Sequence, residues 1–273
     1  MKNKIAIIIT AAVIILGGYF YFGSEKQANS PLNAAYAIDN VSYPLQNGKF
    51  EKEAAPGSAS KETVSVFGAP IYGDLNGDGI KDAAVMLQRD SGGSGTFYYA
   101  AAAINDNGTY KGTNAVFLGD RIAPQNMEIR NGVLIVNYAD RAANEPMTAR
   151  PSFGKSEYLE VENNILAEAP IFIESPVDGA AVSSTISISG VAKGNWFFEA
   201  SFPLILTDEK GNVIAQGHAT AQGPWMTTDY VRFSGTLEFK KPVGVNSGIL
   251  IFKKDNPSGL PQSDDSRAIR VAL

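Results

Sequence analysis

From Ile38 to Leu273 hydrophobic and polar positions alternate in short runs broken by Gly, Asn, Asp and Pro, and no stretch sustains a helical period. The pattern predicts a folded part built mainly of β-strands. In the first half it places strands over Glu62–Ile71, Asp82–Gln88, Thr96–Ile104, Ala115–Leu118, Asn126–Arg130 and Val133–Tyr138. Asn47-Gly48, Asn107-Gly108 and Asn131-Gly132 supply the positive φ values of tight hairpin turns, so the strands are expected to run as an antiparallel meander. Ala100 to Ala103 fit poorly, because alanine favours helix. The strand reading there rests on Phe97, Tyr98 and Tyr99 just before them.

Near Glu168–Pro170 the pattern restarts with Ile171-Phe172-Ile173, and alternation is cleanest at Phe198, Ala200, Phe202, Leu204 and Leu206. Asp208–Asn212 turns the chain into Val213 and Ile214. About seven short strands in ~100 residues is the count of a two-sheet sandwich. Two β-rich domains are therefore expected, over 38–168 and 170–273.

The N-terminus reads differently. Ile5 to Phe22 carries no charge, and ~18 such residues suffice to span a bilayer as a helix. Lys2 and Lys4 before it predict a cytoplasmic tip over 1–4, with Tyr19 to Phe22 as an aromatic belt at the outer face. Residues 5–22 are thus expected to form a membrane anchor, 23–37 a polar linker, and the remainder an extracytoplasmic part. The alternative is secretion after cleavage at Ala35-Tyr36-Ala37, although that site lies far beyond the apolar run.

Composition narrows the function classes. A net charge of −5 does not make the field that a polyanion needs, which argues against nucleic acid. The absence of cysteine excludes disulfides, thiolate chemistry and a lipid-acceptor cysteine. A hydrolase needs a nucleophile with a base, or paired carboxylates in a cleft. His218 is the only histidine and sits in an alternating run, while Ser94 lacks a glycine two residues after it and fails the nucleophile-elbow pattern. Asp120-Arg121 and Asp140-Arg141 read as solvated neighbours on opposite strand faces. No enzymatic activity is expected.

The strongest chemical motif is Asp74-Leu-Asn76-Gly-Asp78-Gly-Ile80-Lys-Asp82. Its D-x-N-x-D-G-x-x-D spacing sets Asp74, Asn76 and Asp78 on alternate residues, offers the Ile80 carbonyl and closes with Asp82, which suits a calcium ion taking ~6–8 oxygens. The loop resembles those of FG-GAP repeats and the opening of an EF-hand. It departs from the EF-hand at the twelfth position, where Val85 replaces the bidentate glutamate, so the resemblance implies a structural calcium of weak, ~0.1–1 mM affinity. The alternative reading is an Asx-rich turn holding its own backbone. The glycine-rich run Ser91–Thr96 reads as a loop joining two strands.

In the second half, Glu174–Val182 (ESPVDGAAV), Ser189–Ala192 (SGVA), Asn195–Pro203 (NWFFEASFP), Gly223–Met226 (GPWM) and Lys254–Gly259 (KDNPSG) stand out. In that order and spacing they resemble the immunoglobulin-like domain of bacterial spore germination proteins, Gmad2, over about Pro170 to Leu273. The resemblance implies an immunoglobulin-like fold and an envelope location, and no known ligand or reaction. The first half does not resemble the usual partner domain of that family, so a sporulation role does not carry over. On residue chemistry alone, Trp196 and Trp225 are expected in a two-sheet core. The whole predicts an anchored envelope protein with a binding or scaffold role, its partner an envelope protein or a glycan. Calcium-dependent adhesion and a glycan-hydrolase accessory role are the alternatives.

Overall fold

The computed structural model describes residues 29–142 and 144–273. The apolar run Ile5 to Phe22, and with it the anchor reading, lies outside them. Among the described residues no helix is long and apolar enough to cross a membrane.

The chain is mainly β. Strands β1 (Ala35–Ile38), β2 (Val41–Pro44), β3 (Lys49–Glu53), β4 (Lys61–Gly73), β5 (Asp82–Asp90), β6 (Phe97–Asp106) and β7 (Thr109–Asp120) form one sheet in the order β2-β1-β7-β6-β5-β4-β3. Its two outermost strands, β2 and β3, are consecutive in the chain and separated only by Leu45–Gly48, so the sheet must roll up. Closure is visible where the buried Tyr43 hydroxyl on β2 donates to Glu62 Oε1 on β4 at 2.8 Å. Tyr36, Ile38, Tyr43, Val64, Val85 and Leu87 fill the inside of the roll.

The expected six-strand meander does not stay in one sheet. β8 (Ala123–Arg130) and β9 (Val133–Asp140) leave it and join β10 (Phe153–Glu162) and β11 (Ile165–Glu168) in a second sheet, ordered β11-β10-β9-β8. The outer face of the first sheet, with Ala84, Met86, Ala100, Ala102 and Leu118, is apolar and needs cover. Leu134, Val136, Leu159 and Leu166 of the second sheet supply it. β6 is therefore buried on both faces, and Ala100 to Ala103 are all fully buried strand residues. Small side chains let the two layers approach, and this tertiary demand overrides alanine's helical preference.

The linker reading of 23–37 ends too late. Ser30 caps a short 3-10 turn at Pro31–Asn33, β1 begins at Ala35, and Tyr36 is fully buried with its hydroxyl donating to the Pro31 carbonyl at 2.7 Å.

The second half contains β12 (Ile171–Ser175), β13 (Ala180–Ala181), β14 (Thr185–Lys193), β15 (Ser201–Thr207), β16 (Val213–Ala221), β17 (Tyr230–Glu238), β18 (Ser247–Lys253) and β19 (Ser266–Ala272). They follow the order β12-β14-β17-β16-β15-β18-β19-β13. Again the two edge strands, β12 and β13, are consecutive in the chain, and the sheet folds over a core of Ile188, Trp196, Phe202, Leu204, Leu206, Phe233, Leu250 and Phe252. This is the expected immunoglobulin-like sandwich. β15 is shorter than the sequence implied: Glu199 and Ala200, at φ 49° and 62°, form a tight turn that pairs Phe198 with Ser201.

The halves are joined by a buried seam. Val133, Ile135, Tyr158 and Ala169 of the first pack with Phe172 and Val191 of the second, and the Tyr158 and Phe172 rings stack 5.3 Å apart. Arg130 lies 4.9 Å over the Phe172 ring, Lys193 pairs with Glu168 at 2.9 Å, and Arg267 pairs with Glu160.

Candidate functional site

The acidic loop lies between β4 and β5 and is held by its own side chains. Asp74 accepts from Gly77 N at 2.7 Å and Gly79 N at 2.9 Å, Asn76 Oδ1 accepts from Asp78 N at 3.1 Å, and Asp78 Oδ1 accepts from Ile80 N at 2.7 Å. Asn76 Nδ2 donates to Asp78 Oδ2 at 2.9 Å, so these two side chains meet. Asp82 is placed differently. It opens β5, is fully buried, and accepts from Leu75 N and Asn105 N, both at 2.9 Å. Its carboxylate ties the loop to the β6 end and faces the interior. Among the described residues no three His, Cys, Asp or Glu side chains gather as a metal site. A calcium ion at this loop would draw on Asp74, Asn76, Asp78 and the Ile80 carbonyl, a smaller oxygen set than the motif alone implied.

In the second half, segments distant in sequence converge on one end of the sandwich. Gly194 N donates to the Asp229 carbonyl and Asp255 N to the Trp196 carbonyl, each at 3.1 Å, while Ala221 N reaches the Ala200 carbonyl at 2.8 Å. Trp196 is the keystone: it is fully buried, sits edge-on to Phe202 at 6.3 Å, and its Nε1 has no hydrogen-bond partner among the described residues. Trp225 is partly buried against the same core. A Cβ on Gly194 would lie 2.0 Å from the Thr227 carbonyl oxygen and 2.4 Å from that of Trp225, so only glycine lets the 225–227 backbone settle here. Asn256 Nδ2 donates to the Leu260 carbonyl at 2.9 Å and to Asp264 Oδ1 at 2.8 Å, and its Oδ1 accepts from the Ser258 hydroxyl, which ties the DNPSG turn together and to the residues after it. Phe198 and Met226 remain exposed at this end, as does Glu199 on its turn.

Two charged pairs depart from the sequence reading. Arg121 has φ 52°, which swings its guanidinium back onto Asp120, with Nη2 2.9 Å from Oδ2. The pair is a local clamp in which the two charges meet and do not point to opposite faces, while Arg121 stays exposed to solvent as expected. Arg141 donates to the carbonyls of Ala149 at 2.8 Å and Arg121 at 3.1 Å, binding the connections around β8 and β9 together. Neither clamp had a sequence signal, since the positive φ at Arg121 sets the first and carbonyls from separate connections gather around Arg141 in the second. His218 is exposed on β16 and faces Pro203 across the ladder, and Ser94 lies exposed in the β5–β6 loop.

Residues 170–259 match the family model described as the immunoglobulin-like domain of bacterial spore germination, Gmad2. The match spans all the convergent segments of the sandwich end. No curated protein and no solved structure matches the chain.

Proposed function

We propose that this protein is a membrane-anchored, extracytoplasmic binding or scaffold module of the bacterial envelope, with no catalytic role. The observation that carries the reading is the immunoglobulin-like half, matched over residues 170–259, whose core is filled and whose distinctive segments build a rigid end bearing exposed Phe198 and Met226. The seam supports it further, because fusing two β-units through Tyr158, Phe172 and Tyr230 suits a part that presents surfaces at fixed geometry. Burial of Tyr36 supports retention of the N-terminal segment, since cleavage after Ala37 would remove most of β1.

Retention in the membrane fraction through carbonate washing, with the folded part open to external protease, is the expected result. Recovery of a soluble mature form beginning at Ile38 overturns the anchor. A photo-crosslinking residue at Met226 is expected to give a discrete adduct in intact cells, and one at Lys240 none. Equal labelling at both positions overturns the role of the sandwich end.

A second reading, a structural calcium that stiffens the first half for adhesion, rests on Asp74, Asn76 and Asp78 sharing one short loop; their oxygens accept N–H donors of that loop, which a bound cation would have to displace.

A further inference from the structure

A wide depression lies in the first half, away from the acidic loop and the sandwich end. It is a groove of about 990 Å³ between the outer faces of β1 and β2, the start of β7, and the Asn163-Asn164 turn after β10. Its origin is topological. β1 pairs with β7 in parallel only at Ala37 and Asn114, so the β1–β2 hairpin diverges from the sheet. Gly112 allows the contact, since a Cβ there would lie 2.2 Å from the Ala35 carbonyl oxygen. Asn114 fixes the far wall: its Nδ2 donates to the Leu166 carbonyl at 2.8 Å and its Oδ1 accepts from Leu166 N at 2.9 Å.

The lining mixes uncharged polar side chains with small apolar ones. Lys111 is the sole charged residue in it. Asn114 is spent on Leu166, and Asn33 Oδ1 on Asn47 N at 2.7 Å. Among the lining residues, the side chains of Ser42, Gln46, Thr109 and Asn164 make no hydrogen bond to another described residue. Carboxamides and hydroxyls both donate and accept, which matches the hydroxyls and acetamido groups of a sugar. Ala35, Ala37 and Pro44 between them offer small apolar patches for the C–H faces of a pyranose. A nucleotide or acidic ligand would call for a cluster of cations, and a hydrophobic ligand for large apolar side chains. The volume falls in the ~300–1,000 Å³ range of small-molecule clefts.

We propose that this groove binds a neutral oligosaccharide, held by Gln46, Ser42, Thr109 and Asn164. The assignment gives the binding role proposed above a ligand class, and rests on that reading only for its placement outside the cell.

The test is calorimetric titration of the full chain in detergent with chitotetraose, cellotetraose and maltotetraose. At least one is expected to bind with a Kd below ~1 mM. Gln46→Ala and Asn164→Gly are expected to weaken that binding about three- to tenfold each, the net worth of one or two hydrogen bonds. Glycine is chosen at Asn164 because its φ is 62°. Lys240→Ala, in the other half, serves as control. The assignment is overturned if none of the three sugars binds at ~10 mM, or if binding is indifferent to both groove substitutions. It is also overturned if the groove takes up an extended peptide in place of every sugar. Loss of sugar binding with membrane retention and the Met226 adduct intact would strike down this assignment alone.

Discussion

The hydroxyl of Tyr230, in the immunoglobulin-like half, reaches two main-chain carbonyls of the first half, Tyr158 at 3.0 Å and Ala169 at 2.9 Å. One proton shared between two acceptors makes this a three-centre bond, and its ring packs edge-on to Tyr158 at 4.8 Å while Lys193 lies 4.0 Å over its face. Burial, with Glu157 and Glu168 nearby, raises the phenol far above its ordinary range, so it remains a donor at all working pH values.

Tyr230→Phe keeps the ring and removes the proton. The Ala169 carbonyl then loses this donor, while the Tyr158 carbonyl keeps the Ala169 N–H at 2.8 Å, a cost of ~1 kcal/mol. The full chain is expected to melt in one cooperative transition that this substitution lowers. Calorimetry checks it, and two separate transitions in the wild type would show that the seam does not couple the halves.

Glu157 gives the seam region a pH dependence. Among the described residues its buried Oε2 has no partner and Oε1 receives only a long 3.4 Å bond from Tyr138, and burial raises its carboxyl above the ordinary value against the pull of Lys193 and Lys155. A carboxyl raised in the folded state binds its proton more readily there than in the unfolded chain. Its contribution is therefore favourable below the unfolded pKa, and is lost as pH rises through the folded one. Glu157→Gln is expected to raise the melting temperature at pH 7, with the advantage shrinking as pH falls towards ~4.3. Glu160, raised by burial yet paired with Arg267, keeps its own dependence in that variant. A wild type and variant with parallel stability–pH profiles would remove Glu157 from the account.

At the acidic loop Asp78 and Asp82 have separable tasks. Asp82→Ala orphans the N–H groups of Leu75 and Asn105 inside the protein, each costing ~1–3 kcal/mol, and the loss is expected equally in calcium and in chelator. Asp78→Ala is expected to cost little in chelator, because Asp78 is exposed. If calcium binds, the wild-type melting temperature rises with millimolar calcium by RT ln(1 + [L]/Kd), ~1.4 kcal/mol at tenfold Kd, and Asp78→Ala abolishes the rise. Equal melting in calcium and chelator reduces the loop to a hydrogen-bonded turn.

What the sequence disclosed, and what it hid, follows the range of the forces involved. The Asn47-Gly48, Asn107-Gly108 and Asn131-Gly132 turns were legible because positive φ is a local demand, and all six residues adopt it. Tyr36 was missed because β1 has only four residues, two of them alanines facing out, too short for alternation to register. The second sheet was missed because its need arises from the outer face of the first, a relationship between Ala100 and Leu134 that no window of sequence contains. Phe198 was read as strand because apolar alternation runs on through it, yet Glu199 and Ala200 turn at positive φ with neither glycine nor asparagine to announce the turn. The groove is illegible for the same reason as the seam: its walls come from β1, β2, β7 and the turn after β10.

The sandwich end offers the sharpest steric test, because the atoms crowding Gly194 are backbone and cannot rotate away. The added methyl of Gly194→Ala would sit 2.0 Å from the Thr227 carbonyl oxygen and 2.4 Å from that of Trp225, so the 225–227 segment must lift off the core. Such overpacking costs ~1–3 kcal/mol or more. Trp196 and Trp225 are the only tryptophans, and Trp225 rides on the displaced segment, so its emission should shift to the red in the folded variant. Gly223→Ala is the matched control: the same segment, the same methyl, but nothing within 4 Å of it, and an expected change within ~0.5 kcal/mol. Denaturant titration of both variants separates a packing effect from a general dislike of substitution in this segment. If Gly194→Ala is as benign as Gly223→Ala and its emission is unchanged, the 225–227 segment is not seated on Gly194 and the convergence of the sandwich end is looser than drawn.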